Sequence, residues 1–168
     1  MNLPQRAAYE MSLYLMRTAH WCRLWVRRMS GDTRAVHGVR VLLDNGHGEV
    51  LLVRHWYAPG VWTLPGGGIH RNENVEDAAV RELHEETGYT AQGISGKIGT
   101  YSGSRADDHV VAVYITSYSG SLRLLPDVEI IERGFFRMQE LPENISPANR
   151  RRVEEYCAGV RNSVGTRW

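Results

Sequence analysis

The chain has 168 residues and a mass of 19.1 kDa, the size of one ordinary domain, since two separate cores would each be marginal. Hydrophobic residues make up 42% and charged residues 23%, which is enough apolar surface to offset chain entropy and excludes disorder as the main state. Twenty Lys+Arg against 19 Asp+Glu leave a net charge of +1, so no global field gathers nucleic acid or an anionic membrane.

In chain order, residues 4 to about 28 read as a helix in which Met11, Leu15, Trp21, Leu24 and Trp25 alternate with arginines. Up to Arg34 six arginines face only Glu10 and Asp32, so residues 1–30 form a basic amphipathic segment ahead of a domain over 31–168. Such a helix suits a membrane surface, a second subunit in a homodimer, or the protein's own sheet. No apolar run approaches the roughly 18 residues that cross a bilayer, and Arg6, Glu10 and Arg17 interrupt the stretch where a secretory signal would be apolar. The expected location is cytoplasmic. Cys22 and Cys157 stand far apart with no CxxC, the pattern of buried or incidental thiols.

Val36–Asp44 and Glu49–Tyr57 are rich in β-branched and aliphatic residues, and the Asn45-Gly46 between them predicts a β-hairpin. Pro59-Gly60 ends the second strand, and Trp62-Thr63-Leu64-Pro65 leads into Gly66-Gly67-Gly68. A helix follows over about Val75–Thr87, with Asn74 as N-cap, Glu76 and Asp77 at its positive end, and Gly88 as a left-handed stop. Further strands are predicted at Ile98–Gly103, His109–Tyr118 and Val128–Arg137. A last helix, capped by Ser146 with Pro147 in its first turn, runs to about Gly159. Arg150-Arg151-Arg152 is expected on its solvated side. This order predicts an α+β fold, a mixed sheet covered by helices.

Six of the 19 acidic residues fall between positions 73 and 86: Glu73, Glu76, Asp77, Glu82, Glu85 and Glu86. At 100° per residue Glu82, Glu85 and Glu86 share a sector about 100° wide, where like charges repel unless a cation joins them. Carboxylate oxygens select a hard ion, Mg²⁺ with Mn²⁺ as substitute, that keeps positions for water and phosphate. Arg81 is placed to orient a carboxylate through its planar fork, and the triple glycine lets backbone approach an ion or phosphate. Taken singly, each of these features also fits a solvated helix face or a plain turn.

The register Gly67, five residues, Glu73, seven residues, Arg81-Glu82-Leu83, one residue, Glu85-Glu86, one residue, Gly88-Tyr89 resembles the signature of the Nudix hydrolases. Trp62-Thr63-Leu64-Pro65-Gly66, Asp127-Val128-Glu129-Ile130, Phe135-Phe136 and Leu141-Pro142 extend the likeness to about residues 36–145. Tyr89 departs from the usual aliphatic residue at the end of the signature, a change of packing. The resemblance implies a Nudix-type α/β/α sandwich, here with an extra N-terminal helix. It implies hydrolysis of a pyrophosphate bond in a nucleoside diphosphate linked to another group, with Mg²⁺ or Mn²⁺ held by Glu82, Glu85, Glu86 and the Gly67 carbonyl. Glu73 and Arg81 become orienting residues and Glu82 the first choice of base, ahead of a later carboxylate such as Asp107, Asp108, Glu129 or Glu132.

Arg54 is a candidate phosphate contact, Tyr57 with Trp56 a candidate platform for a nucleobase, and Asp108 and Glu129 candidates to complete the substrate site. No Pro or Tyr stands about fifteen to eighteen residues past Tyr89, where Ser104 to Asp107 lie. That speaks against substrates such as ADP-ribose and dinucleoside polyphosphates, and the longer motifs associated with coenzyme A and NADH enzymes are also missing. A different reading is a non-catalytic domain that binds a nucleotide or a partner. The presence of every signature glutamate favours the enzyme.

Overall fold

The computed structural model describes residues 37–103, 108–123 and 129–168. The predicted basic helix and Cys22 lie outside them. Strands β1 (His37–Leu43), β2 (Glu49–His55), β3 (Tyr89–Thr90), β4 (Gly96–Ser102), β5 (His109–Ile115), β6 (Ser119–Gly120), β7 (Ile130–Arg137) and β8 (Ser163–Arg167) combine with helices α1 (Val75–Thr87) and α2 (Pro147–Cys157). Four strands form a mixed sheet in the order β1-β5-β4-β8, with β2-β7 and β3-β6 as separate pairs.

β1 runs parallel to β5, β4 antiparallel to β5, and β8 parallel to β4. Side-chain alternation along β1 divides the interior into two cores. Val39, Val41 and Leu43 pack with Ala78, Ala79 and Leu83 of α1, while Leu42 turns to the opposite side with Ile98, Tyr101, Ala112 and Val153 of α2. Sheet between two helices is the expected α/β/α layering.

The Asn45-Gly46 turn forms, with Gly46 at φ 75° and Asn45 N–H donating to the Glu49 carbonyl at 3.2 Å. The predicted hairpin does not. β1 and β2 share one bridge, Asp44 to Val50, and then diverge, because both edges of β1 are already taken. β5 occupies one edge. On the other, Val39 N–H bonds the Gly67 carbonyl at 2.9 Å and Val41 N–H the Pro65 carbonyl at 2.8 Å. β2 pairs instead with β7. Its Val50-Leu51-Leu52-Val53 run is fully buried, as in a strand covered on both faces rather than a half-solvated hairpin.

α1 occupies the predicted range. The Asn74 side chain accepts the Asp77 N–H at 2.8 Å and donates back to the Asp77 carboxylate at 2.7 Å, satisfying a donor that the first turn leaves open. Gly88, at φ 87°, closes the other end. Ser146 makes no side-chain cap on α2; its N–H goes to the Trp62 carbonyl at 2.8 Å, and Pro147, which has no N–H to satisfy, starts the helix.

Arg152 contradicts the expectation of a solvated arginine face. It is 2% exposed, its guanidinium lies 3.7 Å over the Tyr101 ring, and it donates to Glu155 at 2.8 Å. A planar, weakly hydrated guanidinium stacks on an aromatic face at lower desolvation cost than an ammonium. Arg150 reaches the Pro142 carbonyl at 2.8 Å, and Arg151 alone is exposed. Cys157 is an exposed free thiol. Among the described residues no helix is long and apolar enough to cross a membrane.

The packing of α1 makes a direct prediction. Leu83 is fully buried, so Leu83→Ala should cost about 2–5 kcal/mol, read as a lower urea midpoint at unchanged slope.

Candidate active site

α1 faces the segment 65–69 that pairs with β1, and the two glycines at the contact are fixed by space. Gly66 has φ 136°, and a Cβ there would sit 2.2 Å from the Val39 carbonyl oxygen. At Gly67 a Cβ would meet the Glu82 carboxylate at 2.6 Å. The carboxylate therefore lies directly against bare backbone.

The three carboxylates expected in one sector separate by burial. Glu82 is 9% and Glu86 4% exposed, whereas Glu85 is exposed. Glu86 accepts the Gly66 N–H at 2.9 Å, and its other oxygen is 3.6 Å from His55 Nε2. Burial pushes its carboxyl up to about 8, reinforced by Glu82 and Glu129 and opposed by the Gly66 N–H and Arg40. Burial likewise raises the Glu82 carboxyl, against the pull of Arg81. Desolvation penalises the charged form, and nearby carboxylates add to it.

Arg81 organises the outer side. Its Nε and Nη2 bond the two Glu73 oxygens at 2.7 and 2.9 Å, Nη1 reaches Glu82 at 2.7 Å and Glu85 at 3.3 Å, and Nη2 also reaches the Gly68 carbonyl at 3.0 Å. The two-pronged bond holds the Glu73 carboxyl down at about 2, assisted by the His70 N–H, and raises the Arg81 guanidinium well above its ordinary value. The last carbonyls of α1 are met by cations, Arg123 on Glu85 at 3.1 Å and Arg133 on Glu86.

Gly67, proposed from the resemblance as a ligand through its carbonyl, already accepts the Val39 N–H; a carbonyl has two lone pairs, so one remains. Glu129 offers a ligand atom within 4.8 Å of those of Glu86 and His55. Tyr57 is 49% exposed and stacks on His55 at 4.8 Å. Partial burial, with Glu129, Glu86 and Glu82 adding to it, lifts its phenol to about 12. Arg54 is engaged otherwise, paired with Glu132 and 5.0 Å over the Trp62 ring. Asp108 is buried at the head of β5, its carbonyl accepting the Gly103 N–H at 2.7 Å. Asp107 lies outside the described residues.

Three residues at this place were not singled out from sequence. His55 closes on Glu86 from the end of β2. Arg40 donates to the Gly66 carbonyl and, with Gly38, Gly67, Gly68, Val110 and Trp168, lines a cleft of about 300 Å³ beside the glycines. For His55 a signal was present: it lies two residues beyond Val53 on a strand whose alternate side chains turn toward α1. Trp168 follows a strand with little apolar content and offers no such signal.

A glycine segment laid along a sheet edge, against an acidic helix inside an α/β/α sandwich, is the architecture of a Nudix domain. The NUDIX domain family model matches residues 35–156, and the chain belongs to the Nudix family of pyrophosphohydrolases. It is 31% identical over 125 residues to a Bacillus subtilis (strain 168) protein provisionally named 8-oxo-dGTP diphosphatase, covering 74% of this chain and 82% of that protein. It is 33% identical over 115 residues to the ADP-ribose pyrophosphatase of Methanocaldococcus jannaschii, covering 65% of this chain and 64% of that one. The MutT NUDIX hydrolase from Burkholderia pseudomallei superposes with a TM-score of 0.64 at 25% identity, over 73% of this chain and 98% of its own.

The carboxyl shifts fix how the ion-free protein responds to pH. Glu86 takes up a proton on folding, because its carboxyl rises from the ordinary 4.5 to about 8. Its contribution to stability is therefore full below about 4.5 and is lost as pH rises to about 8. Glu73 acts in the opposite sense: its contribution is present above 4.5 and is lost as pH falls toward about 2. In EDTA, Glu86→Gln, which keeps an acceptor for Gly66 N–H, should unfold at a higher temperature than wild type at pH 9. The two should converge near pH 5 in a thermal scan.

Proposed function

We propose that the protein is a divalent-ion-dependent hydrolase that cleaves the pyrophosphate bond of a nucleoside diphosphate linked to another group, by attack of water on phosphorus. The observation that carries this reading is the burial of Glu82 and Glu86 against Gly66 and Gly67 with Glu129 alongside. Arg81 already pairs with Glu82, but charged Glu86, buried with Glu129 beside it, costs stability, and a hard ion removes that cost, so the donor set fits Mg²⁺ or Mn²⁺. Glu82, Glu86, Glu129 and the remaining lone pair of the Gly67 carbonyl would hold it, with solvent-facing Glu85 as an outer ligand.

The chemistry such an ion supplies when bound is neutralisation of phosphoryl charge and a lowered pKa for an attacking water. The residues of the chain do the rest. Arg81, pinned by Glu73, holds one oxygen of Glu82 at 2.7 Å, which leaves the other oxygen to take the proton of the water. Burial makes Glu82 a stronger base than a surface carboxylate, and a base works best with a pKa nearer the operating pH. Arg40, beside the cleft, supplies positive charge toward a diphosphate, and half-exposed Tyr57 offers a flat face to a base.

The two relatives carry the names of an 8-oxo-dGTP and an ADP-ribose enzyme; both substrates contain a phosphoanhydride attached to a nucleoside, and the proposal is made at that level. A panel of nucleoside diphosphate derivatives, incubated with the full chain and Mg²⁺ in ¹⁸O-water and analysed by mass spectrometry, tests it. Hydrolysis with label in a phosphate product, abolished by EDTA, is expected. Glu82→Gln and Glu86→Gln should each lower kcat on the order of 10³-fold with circular dichroism unchanged. Near-normal turnover in both variants, or no hydrolysis of any compound, would overturn the reading in favour of a non-catalytic binding domain.

A further inference from the structure

We infer that His55 Nε2 joins the Glu86 and Glu129 carboxylates as a ligand, making this end of the site a mixed nitrogen–oxygen centre that holds a first-row transition ion such as Mn²⁺ in preference to Mg²⁺. The inference rests on the proposed ion site and adds to it a residue outside the acidic signature. His55 is 3% exposed, its Nε2 is 3.6 Å from a Glu86 oxygen, and one ligand atom from each of His55, Glu86 and Glu129 lies within 4.8 Å of the other two. Among the described residues this is the one His/Cys/Asp/Glu group assembled so tightly.

The spacing suits an ion. With bonds of about 2.1 Å, neighbouring ligand atoms of an octahedral ion are about 3.0 Å apart and opposite ones about 4.2 Å, so small side-chain rotations convert the group into part of one coordination shell. The imidazole is held for this by its surroundings. It stacks on Tyr57 with the rings 21° from parallel, and the irregular register where His55 opposes Ile130 and Arg54 opposes Glu132 leaves Ile131 unpaired beside it. Bulges of this kind re-aim side chains next to functional sites.

The chemistry of the donor sets the preference. Mg²⁺ gains little from a nitrogen ligand and demands oxygen, whereas imidazole is a partner for the first-row transition ions, best for Fe²⁺, Ni²⁺, Cu²⁺ and Zn²⁺ and weakest, though still above Mg²⁺, for Mn²⁺. The arginine beside it in sequence could not serve, since a guanidinium has no lone pair to offer. The His55 imidazole nitrogen therefore adds affinity selectively.

Mn²⁺ alone, added to the full chain without nucleotide, is the probe. Pulsed electron paramagnetic resonance should show nitrogen coupling from a directly bound imidazole, lost in His55→Gln. By calorimetry that variant should bind Mn²⁺ about tenfold more weakly while its Mg²⁺ affinity moves less than about threefold. Mn²⁺ bound without nitrogen coupling, coupling that persists in His55→Gln, or equal losses for both ions would overturn the ligand assignment and leave the carboxylate site standing. Failure of Mn²⁺ to bind at all would overturn both. Should His55→Gln lose its native circular dichroism, His55→Asn replaces it, and the wild-type spectrum decides by itself whether nitrogen is bound.

Discussion

Backbone hydrogen bonds from Val39 and Val41 to Gly67 and Pro65 lay a glycine-rich segment along one edge of β1, and the rest of the site is positioned from that edge. They hold Gly66 at a φ of 136° and bring Gly67 so near α1 that the Glu82 carboxylate fills the space a Cβ would need. They also exclude β2 from pairing with β1. β2 runs to β7 instead, and its last residue, His55, arrives beside Glu86. One set of ladder bonds thus accounts for the failed hairpin, the glycine requirement and the meeting of strand and helix.

Two electrostatic environments flank Glu82, one farther along α1 and one in the turn just before that helix. Glu73 is saturated by the fork of Arg81 and by a backbone N–H, so it behaves as a fixed anchor. Glu86, buried with one N–H donor, has no comparable compensation and remains ready for a cation. Glu82 stands between them, one oxygen on Arg81 and the carboxylate against Gly67. The division of roles comes from hydrogen-bond supply more than from residue type, since all three are glutamates.

What was legible in the sequence was local. Asn74 and Gly88 bound α1 because capping is decided within a few residues, and the acidic spacing reported the face of that helix. What was not legible depended on partners distant in the chain. Asn45-Gly46 makes its turn, but a turn does not choose which strand takes the neighbouring edge. Arg152 looked solvated among three arginines, yet Tyr101 provides the aromatic surface that buries it. β8 carries little sequence signal because Ser163–Arg167 contains a single aliphatic side chain at a sheet edge. His55 lies outside the acidic signature, whose spacing reports oxygen donors alone.

The buried Glu86 has an outcome beyond chemistry at phosphorus. Any cation that settles on it binds the folded chain and not the unfolded one, so occupancy adds stability by mass action, about 2.7 kcal/mol when the ion is at a hundredfold its Kd. The folded population, and with it resistance to proteolysis, then tracks the supply of that ion. Under the proposed ion site, abundance of the polypeptide would follow the divalent-ion supply of its surroundings.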